Sequence, residues 1–208
     1  MDIKYYINRG FHKLIKGNMI RNTKLDTKAR LGYDIQIINS VVGKYSYIGE
    51  HSYVLDSYIG AFCSIADNCI IGGPSHAMEF VSTSPVFVKG KNIFGEHLAE
   101  NEFEEYERTV ICNDVWMGSG CLVKAGVTIE TGAVIGMGSV VTHNVGPYEV
   151  WAGNPARLIK KRFPDELSER LLKTKWWETD DAKLCKLGPF TNNPLKFCEE
   201  VEKNNGEI

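Results

Sequence analysis

The stretch ICNDVW-MGSGCL-VKAGVT-IETGAV-IGMGSV-VTHNVG, residues 111–146, decides the fold. It divides into six consecutive blocks of six, each opened by an aliphatic residue or methionine: Ile111, Met117, Val123, Ile129, Ile135 and Val141. The fifth place of each block is compact: Val115, Cys121, Val127, Ala133, Ser139 and Val145. Gly118 and Gly136 directly follow an opener. A repeat of six matches neither the 3.6-residue helix period nor an alternation closed by hairpin turns. It matches an all-β solenoid with three short strands per coil, where every corner makes the same demand on its side chains. On that reading the stretch forms two coils of eighteen residues.

The same grammar runs upstream, with openings at Val42-Gly43, Ile48-Gly49, Ile59-Gly60, Ile65-Ala66 and Ile71-Gly72. The step is six except for one five-residue step from Val54 to Ile59, read as an irregular corner. The fifth places here are Ser46, Ser52, Cys63 and Cys69, again small. This hexapeptide grammar resembles that of the acyltransferases built on a left-handed parallel β-helix. The resemblance implies corner connections in place of packed crossover helices. It also implies inward openers stacked about 4.8 Å apart, and glycines or small polar residues at corners, often at positive φ.

The chain of 208 residues holds one main domain with an appendage. It contains no run of 18 apolar residues, and MDIKYYINRGFHKLIKGN has no apolar signal-peptide core, so a cytoplasmic protein is expected. Six cysteines without a CxxC pair read as reduced thiols and not as a zinc site. Cys63, Cys69 and Cys121 fall in fifth places, where small hydrophobes are wanted. Residues 1–30 carry eight Lys or Arg against two Asp, although the whole chain has a net charge of −2. A basic arm capping the first coil accounts for that start, with a membrane surface as the lesser alternative. No Arg-rich, aromatic-interleaved face points to nucleic acid.

Three segments follow. Residues 1–34 are expected as the basic arm and cap, a short helix with an extended lead-in. Residues 35–146 are expected as the β-helix, interrupted at 74–108 by a loop without the six-residue phase. Residues 147–208 are expected as an exit through Gly153-Asn154-Pro155 and a helical tail. Helices are expected over DELSERLLKTKWW and near 180–187 and 195–203, packing on the coil end or a neighbouring subunit. Trp176 and Trp177 read as packing anchors.

Three features together are similar to the xenobiotic acyltransferase branch of the hexapeptide family. They are GGPSHAMEFVSTSPVF in the loop, NDVWMG opening the second block, and AGNPARLIKKRF ahead of a WW-containing tail. The resemblance spans residues 35–180. That branch holds chloramphenicol and streptogramin acetyltransferases and sugar O-acetyltransferases. It implies transfer of acetyl from acetyl-CoA to a hydroxyl, with the STSPVF wording leaning toward a saccharide or polysaccharide precursor.

A hydroxyl of high pKa needs a base within about 3 Å as it attacks a thioester, and an N–H donor must hold the oxyanion. Histidine suits the first task near neutral pH. The resemblance implies His76 as that base, oriented by Glu79 or by a backbone carbonyl. No Ser or Cys stands in a nucleophile motif, so direct transfer without an acyl-enzyme is expected. His51 is expected to face solvent, His97 is a weaker second candidate, and His12 belongs to the basic arm.

For the cosubstrate acetyl-CoA, the motif match implies contacts from Ser119, Met137, Thr142, His143, Arg157 and Lys160. Lys161 and Arg162 are alternates for the phosphates. Relatives often carry Lys where His143 stands and Ala where Met137 stands. Trp116 is expected near the thioester or in packing. The resemblance also implies a homotrimer with sites in the clefts between subunits. The alternatives are a xenobiotic O-acetyltransferase, an amino-sugar N-acetyltransferase and a non-catalytic scaffold. A metal hydratase on the same coil needs an HxxxxH pair, which none of the five histidines form.

Overall fold

Strands of two or three residues recur three to a coil, and each pairs in parallel with the strand one coil away. The structure, a computed structural model, describes residues 17–205. Sheet one contains β1 (Met19–Arg21), β4 (Gln36–Ile38), β7 (Tyr53–Leu55), β10 (Ile70–Ile71), β13 (Leu122–Val123) and β16 (Val140–Val141). Sheet two contains β2 (Lys24–Leu25), β5 (Val41–Val42), β8 (Ser57–Ile59), β11 (Thr109–Ile111) and β14 (Thr128–Ile129). Sheet three contains β3 (Arg30–Leu31), β6 (Tyr47–Ile48), β9 (Ser64–Ile65), β12 (Trp116–Met117), β15 (Val134–Ile135), β17 (Glu149–Gly153) and β18 (Ala156–Lys161). Together they form the left-handed parallel β-helix expected from the repeat.

The openers and the fifth-place residues both point inward, and all are buried in one continuous core. The strand pleat explains the openers: in β12, Trp116 faces out and Met117 faces in. The fifth-place residue enters the core at the corner just before the next strand. Small serines there also accept corner amides. Cys63 N–H donates to Ser46 Oγ at 2.9 Å, and Ser46 Oγ–H donates to the Gly60 carbonyl at 2.6 Å. Burial pushes the Cys63 thiol up to about 12. All six cysteines are free.

Glycine after an opener, Gly72 at φ 75° excepted, has a reason other than positive φ. A Cβ on Gly60 would lie 2.7 Å from the Cys112 carbonyl oxygen, in the backbone of the next coil. Positive φ sits elsewhere in each corner, and in the first coils it is borne by Asn39, Tyr45, His51, Asp56, Phe62 and Asn68. The expectation of glycine or small polar residues at those places fails for Tyr45 and Phe62. Their rings lie outside the prism against one another, 5.2 Å between centroids.

The five-residue step is not an isolated slip. Ile37 to Val42 repeats the step of Val54 to Ile59, and strands before the loop pair with a partner 17 residues away. After the loop the offset is 18 residues, as in Ile111↔Ile129, until the last coil, where Ile129↔Val145 and Ile135↔Trp151 are 16 apart. The coil also starts earlier than residue 35, because β1, β2 and β3 already pair with β4, β5 and β6. Leu31-Gly32 keeps the grammar there, and a Cβ on Gly32 would lie 2.7 Å from Glu50 Cγ in the next coil, whereas Met19, Ile20 and Arg21 are exposed. The expected arm helix and His12 fall on residues 1–16, outside the described residues.

The exit also differs from expectation. At Gly153-Asn154-Pro155 the chain turns back, with a cis Asn154–Pro155 bond, and β18 pairs antiparallel with β17. It leaves the prism only at Arg162. The tail comprises α1 (Asp165–Thr174), a 3-10 turn at Trp176–Glu178, α2 (Asp181–Leu187) and α3 (Pro194–Asn205). It packs along the prism edge between sheets two and three of its own chain. Trp176 meets Phe62 at 4.8 Å, Phe163 meets Tyr148 at 5.5 Å, and Tyr45 Oη–H donates to Asp181 at 2.6 Å. Lys28 pairs with Asp181, so the tail reaches back to the first coils.

Arg162 ties this edge together. Its guanidinium donates to the Gly132 carbonyl at 2.6 Å, meets Asp114 at 3.3 Å, and lies over the rings of Tyr148 and Phe163. Burial holds the Asp114 carboxyl above the usual carboxylate range, with Arg162 opposing that shift. A raised folded-state pKa means that the folded chain binds this proton more tightly than the unfolded one. Stability contributed by the group is therefore full below the unfolded pKa and is lost as pH rises through the folded one. Asp114→Asn should gain Tm relative to the parent as pH increases from about 3.5 to about 7. A pH-independent difference between the two melting curves would count against this assignment.

Candidate functional site

The loop at 74–108 leaves the coil after β10 and returns at β11, on the edge between sheets one and two. It is folded upon itself. Ser75 N–H donates to the Glu105 carbonyl at 2.7 Å and closes the neck. Farther out, Lys89 N–H donates to Asn101 O at 2.9 Å, and Ala77 and Val88 are buried. Phe80 meets Phe103 edge-on at 6.2 Å. The acidic half is largely exposed, from Glu96 to Glu107.

His76 is exposed, and its Nδ1 lies 2.9 Å from the Thr83 carbonyl. A carbonyl can only accept, so Nδ1 carries the proton and the neutral ring keeps its lone pair on Nε2. The orienting group is this carbonyl. Glu79, the side chain put forward for that task, is exposed and makes no hydrogen bond or ion pair among the described residues. Glu79 instead lines a hollow of about 470 Å³ with Phe80, Val81, Ser82, Phe87 and Asn101. The hollow and the histidine share the Ser82–Thr83 backbone. Reasoning from sequence missed Phe80, Phe87 and Asn101, because no spacing marks residues that a loop gathers by folding.

The other proposed contacts fall on different parts of the prism. Gly72, Lys124 and Thr142 stack on the edge that bears the loop, since Gly72 N–H donates to Val123 O and Lys124 N–H to Val141 O. Thr142 and His143 belong to this edge, joined by a 2.9 Å contact from Thr142 Oγ1 to His143 Nδ1. Ser119 and Met137 lie on the edge between sheets three and one. There Gly138 N–H donates to Ser119 O at 2.9 Å, and the Met137 side chain is 81% exposed. His51 occupies that same edge on an earlier coil, exposed and 2.9 Å from Asp34. His97 stays within the loop tip, 3.2 Å from Asn92 Nδ2.

Trp116 stands outward on sheet three, 56% exposed, so it is not part of its own chain's core. Arg157 and Lys160 are exposed on β18 at the end of that sheet. The Arg157 guanidinium donates only to the neighbouring Ala156 carbonyl, and the Lys160 side chain makes no hydrogen bond or ion pair among the described residues. The alternates are already engaged, Lys161 with Asp165 and Arg162 in the tail clasp. One chain therefore brings Thr142 and His143 to the histidine's edge but keeps Ser119 and Met137 on another. Among the described residues no group of three or more His, Cys, Asp or Glu could hold a metal ion. No described helix is long and apolar enough to cross a membrane.

Comparison with known proteins agrees with this architecture. No protein-family model matches the chain. A chloramphenicol acetyltransferase from Agrobacterium fabrum (strain C58 / ATCC 33970) is 40% identical over 158 residues, covering 67% of this chain and 75% of that protein. A probable macrolide acetyltransferase from Lysinibacillus sphaericus is 40% identical over 140 residues, 64% of this chain and 72% of its own. Among solved structures, the polySia-specific acetyltransferase NeuO superposes with a TM-score of 0.50 at 23% identity. That match covers 80% of this chain and 74% of NeuO, and the likeness is one of fold.

Proposed function

The chain belongs to the hexapeptide-repeat acyltransferases, on the branch of the chloramphenicol acetyltransferases, and from that membership we propose an acetyl-CoA-dependent O-acetyltransferase acting on a saccharide hydroxyl. The observation that carries this reading is the bond between His76 Nδ1 and the Thr83 carbonyl, which leaves Nε2 as a free acceptor on the exposed loop histidine. His76 Nε2 takes the hydroxyl proton as the acceptor oxygen attacks the thioester carbonyl. It returns that proton to the departing sulfur, so the ring ends as it began and no acyl-enzyme is needed. Phe80 and Phe87 offer flat apolar faces to a sugar ring, while Glu79, Ser82 and Asn101 can accept or donate to its hydroxyls.

Unpaired cations on β18 suit the phosphates of coenzyme A, with Arg157 and Lys160 as their partners. Arg157→Ala should raise the apparent KM for acetyl-CoA roughly 10-fold with little change in kcat. An unchanged KM would remove Arg157 from the site. Ser119 and Met137 bind the cofactor arm from the other edge. Because these edges are apart in one chain, a complete site joins the loop edge of one copy to the Met137 edge of the next. Cyclic closure as a trimer gives each copy one such cleft.

A second reading takes chloramphenicol or a macrolide as acceptor, favoured by the likeness to those enzymes. The test is thiol release from acetyl-CoA across simple sugars, polysaccharide fragments, nucleotide amino sugars and chloramphenicol, with light scattering on the same sample to count chains. A saccharide hit in a trimeric protein supports the main reading, and a chloramphenicol hit supports the second. Preference for an amino sugar would change the reaction to N-acetylation. No thiol release and no acetyl-CoA binding would overturn the proposal as a whole.

A further inference from the structure

A cavity of about 440 Å³ lies between the tail and the prism edge that it covers, away from the His76 loop. Its walls are aromatic, from Phe62, Tyr148, Trp176 and Phe197. Its polar side is Asp114 with Arg162. That volume is within the usual range for small-molecule sites, and so is the pattern of apolar walls around a few polar groups. The polar groups are poorly satisfied. Arg162 makes its shorter bond, 2.6 Å, to Gly132 O and reaches Asp114 only at 3.3 Å. Among the described residues the Tyr148 hydroxyl, on a residue 2% exposed, makes no hydrogen bond of ordinary geometry, although the Trp176 side chain bears on it. A carboxylate answered by one long contact in an aromatic hollow favours a second cation, which the rings of Trp176 and Phe62 also attract.

We propose that this cavity is a second small-molecule site, selective for a compact aromatic molecule bearing a protonated amine. The amine pairs with the free carboxylate oxygen of Asp114, and the ring packs against the aromatic walls that Trp176 and Phe197 present to the cavity. An occupant would grip three parts of the chain at once: the coil through Phe62 and Asp114, the end of β18 through Arg162, and the tail through Trp176. Since Arg157 and Lys160 lie on β18, occupancy would also steady the strand assigned to the cofactor phosphates.

The test titrates the full-length 15N-labelled protein with tyramine, and separately with p-cresol, which keeps the ring but lacks the amine. The readout is the Trp176 indole N–H resonance, assigned with a Trp176→Phe variant. Tyramine should shift it saturably, and p-cresol should bind at least fivefold more weakly. Asp114→Asn should erase the preference between the probes, and Leu184→Trp, which fills the cavity, should abolish both shifts. If Leu184→Trp does not fold, the Asp114→Asn comparison decides alone. An unsaturable tyramine shift, or equal affinity for both probes in the parent chain, overturns the site. Binding is read without acetyl transfer, so failure here leaves the proposed enzyme activity untouched.

Discussion

His76→Ala is expected to lower turnover by roughly 10²–10⁴-fold, while the melting transition and acetyl-CoA affinity stay where they were. The reason is local. The His76 ring is exposed, and its one hydrogen bond is to Thr83, within the same loop. Losing that bond costs about 1 kcal/mol, and it falls on a segment already held at its neck by Ser75 with Glu105 and farther out by Lys89 with Asn101. Among the described residues, none of those assigned to coenzyme A hydrogen-bonds to the His76 ring. Its loss should therefore fall on the chemical step alone. Turnover and titration of acetyl-CoA, measured on one preparation, separate the possibilities. Parent-like turnover removes His76 from the mechanism, and a matching loss of cofactor affinity makes it a binding residue instead.

The second large effect is on folding. Gly60→Val should destabilise the chain by about 3 kcal/mol and lower Tm by roughly 6–12 °C. Even a single Cβ at Gly60 would lie 2.7 Å from the Cys112 carbonyl oxygen, 2.9 Å from its carbon and 2.6 Å from Asn113 Oδ1. Two of these are backbone atoms paired into the next coil, where Gly60 N–H also donates to Ile111 O at 2.8 Å. Neither can move without opening the ladder. Gly188→Ala is the control, because a Cβ there meets nothing within 4 Å. Calorimetry showing the two variants equally stable would refute the stacking explanation for glycine after an opener.

How far the sequence could be read follows from what makes a signal periodic. Openers such as Ile111 and Ile129 stack against identical neighbours, so each copy repeats the same constraint and the fold declares itself. In the first described coil Met19, Ile20 and Arg21 are exposed and basic residues interrupt the pattern, so Met19 to Leu31 carries little periodic signal. The systematic 17-residue coil looked like one slip because Ile37 to Val42 lies at the start of the pattern, before it is recognised. Within the site, His76 was legible through a resemblance of its loop. Its orienting partner could be narrowed only to Glu79 or some backbone carbonyl, because a main-chain carbonyl such as that of Thr83 leaves no mark in a sequence. The distribution of Ser119, Met137, Thr142 and His143 over two edges follows from counting positions around the coil. That count needs the corner lengths, which only the paired strands supply. The engagement of Arg162, an alternate for the phosphates on sequence, was hidden because its contacts, Gly132 and Asp114, are 30 and 48 residues away along the chain.

The point where the loop departs has a further consequence. Ile71 is followed in space by Val123 and Ser57 by Thr109, as though the residues between Ile71 and Thr109 were absent. The coil is indifferent to what is spliced into that edge, provided both ends return to register. On the proposed function, acceptor choice and cofactor handling would be written on separable parts of one chain. The former could then drift by exchanging a single insert, while the stacked edges assigned to the cofactor remain under the veto of their neighbours. A scaffold partitioned in this way can keep one donor and try many acceptors.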